Sequence, residues 1–167
     1  LNEEKNLKNL LTDLTKQTYK GFEVVVADSR STDNTVKVAK SFAKKLKLRT
    51  KVLPKRGIAL GRNTGATMAK GDTVCFFDSD VRIEKDFLAS CMAEMEKRKL
   101  DIAGVYIQSS GNNPIDKLYY YFLNAWFWLT QLVYPHCVGS CIFAKKKVHK
   151  AIGGFDPSIT LAEDNDY

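Results

Sequence analysis

Two five-residue segments rich in Val, Ala and Phe, each closed by an acidic residue and followed by helical periodicity, constrain this chain most. Residues 23–27, Glu-Val-Val-Val-Ala, end at Asp28, and residues 73–77, Thr-Val-Cys-Phe-Phe, end at Asp78 with Asp80 two residues further on. Runs this short, rich in Val and Phe and bounded by turn formers such as Gly71 and Asp72, read as buried strands. Leu7, Leu10, Leu11 and Leu14 fall at helical spacing behind Asn2, a suitable N-cap, in a helix ending before Tyr19-Lys20-Gly21. Ser31-Thr32-Asp33 precede a second helical face made by Val36, Ala39, Phe42, Ala43 and Leu46, and a strand near Leu48 to Leu53 follows. Further helices are expected over Ile58 to Ala69 and around Phe87, Cys91 and Met95, with a strand from Asp101 to Ile107. Such alternation predicts an α/β domain, a largely parallel sheet with helices on both faces. Open sheets of this kind bind ligands beyond the carboxyl ends of their strands, where Asp28, Asp78 and Asp80 should emerge. A pair of carboxylates there suits a hard divalent cation that keeps some waters and takes its other ligands from a substrate diphosphate.

Length and composition fit one domain over residues 1–167, with 44% hydrophobic residues to close a core. The formal net charge of +7, with basic clusters in residues 40–56 and at Lys145, Lys146, Lys147 and Lys150, attracts nucleic acid, anionic lipid or phosphorylated small molecules alike. Cys75, Cys91, Cys137 and Cys141 lie mostly in apolar segments without paired spacing, so buried, reduced thiols and a reducing compartment are expected. His136, Cys137 and Cys141 sit in or beside a predicted strand from Cys137 to Ala144 and lack the fourth ligand of a structural zinc site. Gly61, Gly65 and Ala69 recur every four residues, a smooth stripe that predicts close approach of their helix to the sheet. Residues 118–134 are apolar and aromatic nearly all round. Seventeen helical residues span about 25 Å, short of a hydrocarbon layer of roughly 30 Å. A buried helix is the favoured reading, and one lying at a membrane interface is the alternative. The opening Leu-Asn-Glu-Glu reads as the turn and helix that should follow a strand, and the end falls in Glu-Asp-Asn-Asp-Tyr, so the sequence reads as a piece of a longer protein.

The order of motifs resembles family 2 glycosyltransferases. Their pattern is an Asn-Glu turn, a strand ending in Asp with Ser-Thr-Asp-x-Thr, an Arg-Asn-x-Gly helix, Asp-x-Asp, Gly-Gly-Phe-Asp and a Glu-Asp pair. Here these are Asn2-Glu3, Asp28 with Ser31 to Thr35, Arg62-Asn63-Thr64-Gly65, Asp78-Ser79-Asp80, Gly153-Gly154-Phe155-Asp156 and Glu163-Asp164. Each motif alone is weakly specific; together, in order across the whole chain, they are a strong signal. Ser29 and Arg30 depart from the acidic residue and glycine that often follow the first Asp, which bears on base recognition.

The resemblance implies a GT-A-like, Rossmann-type three-layer sandwich with a mostly parallel central sheet, its first strand lying before this sequence. It implies an inverting, metal-dependent enzyme that moves a sugar from a nucleotide-diphosphate donor to a hydroxyl or lipid-phosphate acceptor. By resemblance, Glu3, Asp28 and Arg62 hold the donor, Asp80 binds Mg²⁺ or Mn²⁺, and Asp78 contacts the ribose or the metal's water shell. Asp164 is the implied general base, with Glu163 beside it raising its pKa. The implied partners are the nucleotide sugar, a carbohydrate or lipid-linked acceptor and a membrane surface, with no nucleic acid. The implied location is the cytoplasm, including the cytoplasmic membrane face. Two rivals stay open: a nucleotidyltransferase, and a non-catalytic binding domain at a membrane surface.

Overall fold

The computed structural model describes residues 1–109, 111–131, 133, 139–159 and 167. Its elements run α1 (Glu4–Thr15), β1 (Val24–Asp28), α2 (Thr35–Ser41), α3 (Ala43–Leu46), β2 (Leu48–Val52), α4 (Ile58–Met68), β3 (Thr73–Phe77), α5 (Phe87–Lys97), β4 (Ile102–Gly104), α6 (Pro114–Thr130), β5 (Cys141–Lys145) and α7 (Lys146–Ala151). β1 and β2 pair in parallel with Val24 opposite Leu48, as their helical crossover requires. β5 lies between β3 and β4 and runs antiparallel to both, with Phe77 opposite Cys141 and Gly104 opposite Ile142. Parallel pairing between neighbours is therefore confined, among the described residues, to β1 and β2. The expectation of a mostly parallel sheet counted strands followed by helices, whereas β5 enters the sheet from a long excursion through α6 and returns between two strands already laid down.

The two-residue alternation of β3 and β5 explains the three layers. Cys75 and Phe77 with Cys141 and Phe143 face a cluster formed by Leu7, Leu10, Leu11 and Leu14 of α1 and by Leu88 and Met95 of α5. Val74 and Phe76 with Ile142 and Ala144 face the other way, onto Ala59 and Ala66 of α4 and Phe155. Each large side chain so buried contributes about 1.5–3 kcal/mol relative to exposure.

Several local expectations change in the folded chain. Asn2 does not cap α1: it adopts φ 58°, and its side chain turns to the segment after β1, while Glu3 occupies the cap position. In the glycine stripe, a Cβ on Gly61 would meet Leu53 and Ala27 at ordinary contact distance, but one on Gly65 would meet nothing within 4 Å. Close packing therefore holds at one position of the stripe and not along it. Cys75, Cys91 and Cys141 are free thiols, with Sγ of Cys75 and Cys141 3.7 Å apart. Burial pushes the Cys91 thiol up to about 11 and Cys75 well above its ordinary value, so both stay protonated. Cys137 and His136 lie outside the described residues.

The favoured burial of the aromatic helix is overturned. No residue of α6 is buried, and Tyr119, Tyr121, Phe122, Trp126 and Trp128 are all exposed. Asn124 holds the helix to the chain by accepting from Ile107 N at 3.1 Å and donating to Ile107 O at 2.7 Å. Only the row Tyr120, Leu123, Asn124, Phe127 and Thr130 is partly covered. A helix apolar all round carries no pattern that selects a face, so its sequence could not tell burial from exposure. Among the described residues no helix is long and apolar enough to cross a membrane.

Candidate active site

Asp28 is the last residue of β1 and is 4% exposed. Its backbone carbonyl accepts from Leu53 N at 2.8 Å, continuing the pairing with β2. Its carboxylate accepts from Ser31 N at 2.9 Å and Ser31 Oγ at 2.5 Å, which folds the 29–31 turn over the strand end. Arg30 takes φ 66° in this turn, a conformation in which an L side chain is uncommon. At the start of α2, Asp33 Oδ1 accepts from Thr35 N at 2.9 Å and from Thr35 Oγ1 at 2.5 Å. Those bonds hold the Asp33 carboxyl below the usual carboxylate range.

Glu3 reaches this edge because residues 2–4 zip onto residues 31–35. Asn2 N donates to Ser31 Oγ at 2.9 Å, Asn2 Oδ1 accepts from Thr32 N at 2.8 Å, and Glu3 N donates to Thr35 Oγ1 at 2.9 Å. Two motifs about thirty residues apart thus form one surface beside Asp28. The Glu3 carboxylate accepts from Asn6 at 2.8 Å. Beyond the ends of β1 and β2, a cavity of about 720 Å³ is lined by Arg30, Ser31, Thr32, Val52, Lys55 and Arg56. Its three cations were visible in the sequence only as part of a basic stretch and a departure from the family pattern.

The second half of the site is built by α4 and β3. Arg62 donates to Asp78 Oδ1 at 3.1 Å and to Gly139 O at 3.0 Å; its side chain is 11% exposed and that of Asp78 45%. Asp78 N donates to Ser140 O at 3.0 Å, so the turn before β5 covers the strand end. Asp80, two residues on, is exposed. α4 joins the two halves: Gly61 abuts Ala27, next to Asp28, while Arg62 meets Asp78. Asp28 at the end of β1 and Asp78 at the end of β3 are thereby both linked to α4, the first through Gly61 against Ala27 and the second through Arg62. Asp164 and Glu163 lie outside the described residues.

No cluster of three or more metal-binding side chains occurs among the described residues. The donor set fits a hard cation that takes one or two carboxylates and completes its shell with water and phosphate oxygens, and does not fit an all-protein cage.

Gly153 and Gly154 end α7. Gly153 N donates to Lys150 O at 3.2 Å and Gly154 N to His149 O at 2.9 Å, a C-terminal cap requiring the positive φ of 85° at Gly153. Phe155 then enters an aromatic cluster with Phe76, His149 and Tyr167. Burial holds the His149 imidazole below its ordinary pKa, and the Lys146 charge adds to this; its Nδ1 lies 2.8 Å from Tyr167 Oη.

An α/β sandwich with carboxylates at two strand ends is an architecture that places ligand-binding groups beyond its strands, and comparison with known proteins narrows the class. Residues 1–153 match the family described as Glycosyl transferase family 2, and the chain belongs to it. It is 35% identical over 105 residues to the poly(ribitol-phosphate) beta-N-acetylglucosaminyltransferase TarS of Staphylococcus aureus (strain Mu50 / ATCC 700699), covering 60% of this chain and 18% of that protein. The crystal structure of S. aureus TarS 1-349 in complex with UDP-GlcNAc matches with TM-score 0.74 and 25% identity, over 98% of this chain and 48% of that one. The mannosyltransferase PcManGT from Pyrobaculum calidifontis, in complex with GDP-Man and Mn2+, matches with TM-score 0.79 and 24% identity, over 98% and 47%. The fold is therefore that of the GT-A glycosyltransferases. The chain spans half or less of these solved relatives' length and less of TarS as a whole.

Proposed function

We propose that this protein is an inverting glycosyltransferase that uses a nucleotide-diphosphate sugar and a divalent cation, Mg²⁺ or Mn²⁺, to glycosylate a hydroxyl or lipid-phosphate acceptor. The observation that carries this reading is the Arg62–Asp78 ion pair at the end of β3, made from the same helix whose Gly61 packs against Ala27, next to buried Asp28 at the end of β1. Glu3 and Asp28 would hold the nucleoside, a carboxylate being able to accept from a base N–H or a ribose hydroxyl. Arg62 would orient Asp78 and the donor through its fixed fork of donors. Asp80 and Asp78 would hold the cation, which supplies charge neutralisation for the departing nucleoside diphosphate. Asp164 would take the proton of the acceptor hydroxyl as that oxygen bonds to the anomeric carbon. The bond to the diphosphate breaks on the opposite face, giving inversion in one displacement. TarS, which was crystallised in complex with UDP-GlcNAc, supports a nucleotide sugar as donor.

The aromatic face of α6 supports contact with a membrane surface near the acceptor, since Trp and Tyr favour the interface and the net charge of +7 complements anionic lipid. The test is a panel of nucleotide sugars offered to the full-length protein with and without Mn²⁺. Asp80→Ala should abolish metal-dependent donor binding, and Asp164→Asn should keep donor binding while losing transfer. Equal donor affinity of Asp80→Ala and wild type, with and without metal, would defeat the metal assignment.

A further inference from the structure

Asn63, the neighbour of Arg62 on α4, makes a two-point contact that the proposed chemistry does not use. Its Nδ2 donates to Phe155 O at 2.8 Å and its Oδ1 accepts from Phe155 N at 2.9 Å, across 92 residues of chain. One amide side chain thus satisfies both backbone polar groups of one residue and fixes the orientation as well as the position of its peptide planes. The approach requires Gly154, where a Cβ would lie 2.5 Å from Asn63 Oδ1 and where φ is +78°. Phe155 is 1% exposed, edge-on to Phe76 with centroids 5.0 Å apart and stacked with Tyr167 at 4.0 Å, so its ring has little freedom to turn. Cζ of Arg62 lies 5.0 Å from the centroid of that ring.

We propose that Asn63 and Phe155 are positioning residues for Arg62. Asn63 fixes the Phe155 peptide, the packed ring supports the guanidinium, and the guanidinium is thereby directed at Asp78 and Gly139 O. An arginine reaching from a helix to a strand end must give up rotamer freedom, and a rigid aromatic surface placed under its planar head removes much of that freedom before any ligand arrives. A lysine would gain less from the same ring, because its ammonium has no flat face to stack. The inference rests on the reading of Arg62 as part of the donor site, and it assigns Asn63 an indirect role, through Phe155, with no contact to donor.

The test uses the full-length protein, calorimetric affinity for UDP and GDP in the presence of Mn²⁺, and donor KM and kcat. The variants are Asn63→Ala, Phe155→Leu, Arg62→Ala and the double variant of positions 62 and 63. Asn63→Ala and Phe155→Leu should each weaken nucleoside diphosphate binding about tenfold and raise donor KM in proportion, and Asn63→Ala should have little further effect once Arg62 is alanine, as coupled neighbours behave. A role confined to folding would lower the melting temperature of Asn63→Ala and leave the affinity of the folded protein unchanged; that result overturns the proposal. So does full additivity in the double variant. Wild-type affinity in Arg62→Ala would remove the donor-site reading and this inference together, whereas weak binding in Arg62→Ala with normal binding in Asn63→Ala removes the inference alone. Should Asn63→Ala fail to fold, Phe155→Leu carries the same cycle with Arg62→Ala.

Discussion

Replacing Gly154 by alanine should damage the fold far more than replacing Gly153, although both have positive φ. Gly153 has φ +85°, and a methyl carbon added there would find nothing within 4 Å, so Gly153→Ala meets only the backbone cost of the left-handed region. That cost is about 1–2 kcal/mol, partly offset by the smaller conformational entropy of alanine in the unfolded chain. Gly154→Ala carries the same backbone cost and also places Cβ 2.5 Å from Asn63 Oδ1 and 3.2 Å from His149 Cε1. Asn63 must then leave, and the N–H and C=O of buried Phe155 lose their partner, at about 1–3 kcal/mol for a buried group left unsatisfied. The expected destabilisation is about 3–7 kcal/mol for Gly154→Ala, two unsatisfied groups plus the backbone cost, and about 1 kcal/mol for Gly153→Ala. Urea unfolding followed by circular dichroism, with both variants compared at equal m-value, measures the difference directly. Equal losses in the two variants would refute the claim that Asn63 and the Phe155 backbone are locked together, because that contact is what chiefly separates them.

Acid unfolding provides a second check. Arg82 donates Nε–H to Asp13 Oδ2 at 2.6 Å and Nη2–H to Oδ1 at 3.0 Å, and this pairing holds the Asp13 carboxyl below the usual carboxylate range. The depressed value makes the ion pair's contribution complete above the unfolded pKa of about 4 and lost as pH falls through the lower folded value. Asp13→Asn should accordingly cost less stability the further pH drops below about 4, and a cost independent of pH in denaturant titrations would discount the pair. On α6, Trp126→Gln with Trp128→Gln should lower partitioning onto phosphatidylserine-containing vesicles by at least about tenfold, the scale of withdrawing one large side chain from apolar burial. Unchanged co-sedimentation of the double variant would exclude α6 as the contacting element.

What could be read from the sequence were features whose causes are local. The strand Val24–Asp28 and the strand Thr73–Phe77 follow from short apolar runs between turn formers, and α1 from four leucines at helical spacing. Non-local causes escaped. The place of β5 between β3 and β4 rests on pairing with two strands distant from it in the chain, which its own five residues do not encode. The start of α5 is capped by Gln17, whose Oε1 accepts from Leu88 N at 3.0 Å across 71 residues, and no local pattern announces such a partner. For α6 the sequence held too much of one signal: every face was apolar, so none was marked as inward.

The site divides along the same line, and α4 shows why. Consecutive residues on an α-helix point about 100° apart, so Arg62 and Asn63 leave α4 in different directions, a fact available from their adjacency alone. Which neighbours they serve required the fold. Arg62 meets Asp78, one of the carboxylates expected at the site, while Asn63 meets the backbone of Phe155 in the Gly-Gly-Phe-Asp motif, for which no role was expected. The two contacts then close on each other, because the ring that Asn63 holds lies against the guanidinium that Arg62 extends. Motif order picked out the groups at the strand ends as candidates, but it treated the Arg-Asn and Gly-Gly-Phe motifs as separate features. In the folded chain they make one unit, in which Asn63 grips the Phe155 backbone and the Phe155 ring lies against the guanidinium that meets Asp78.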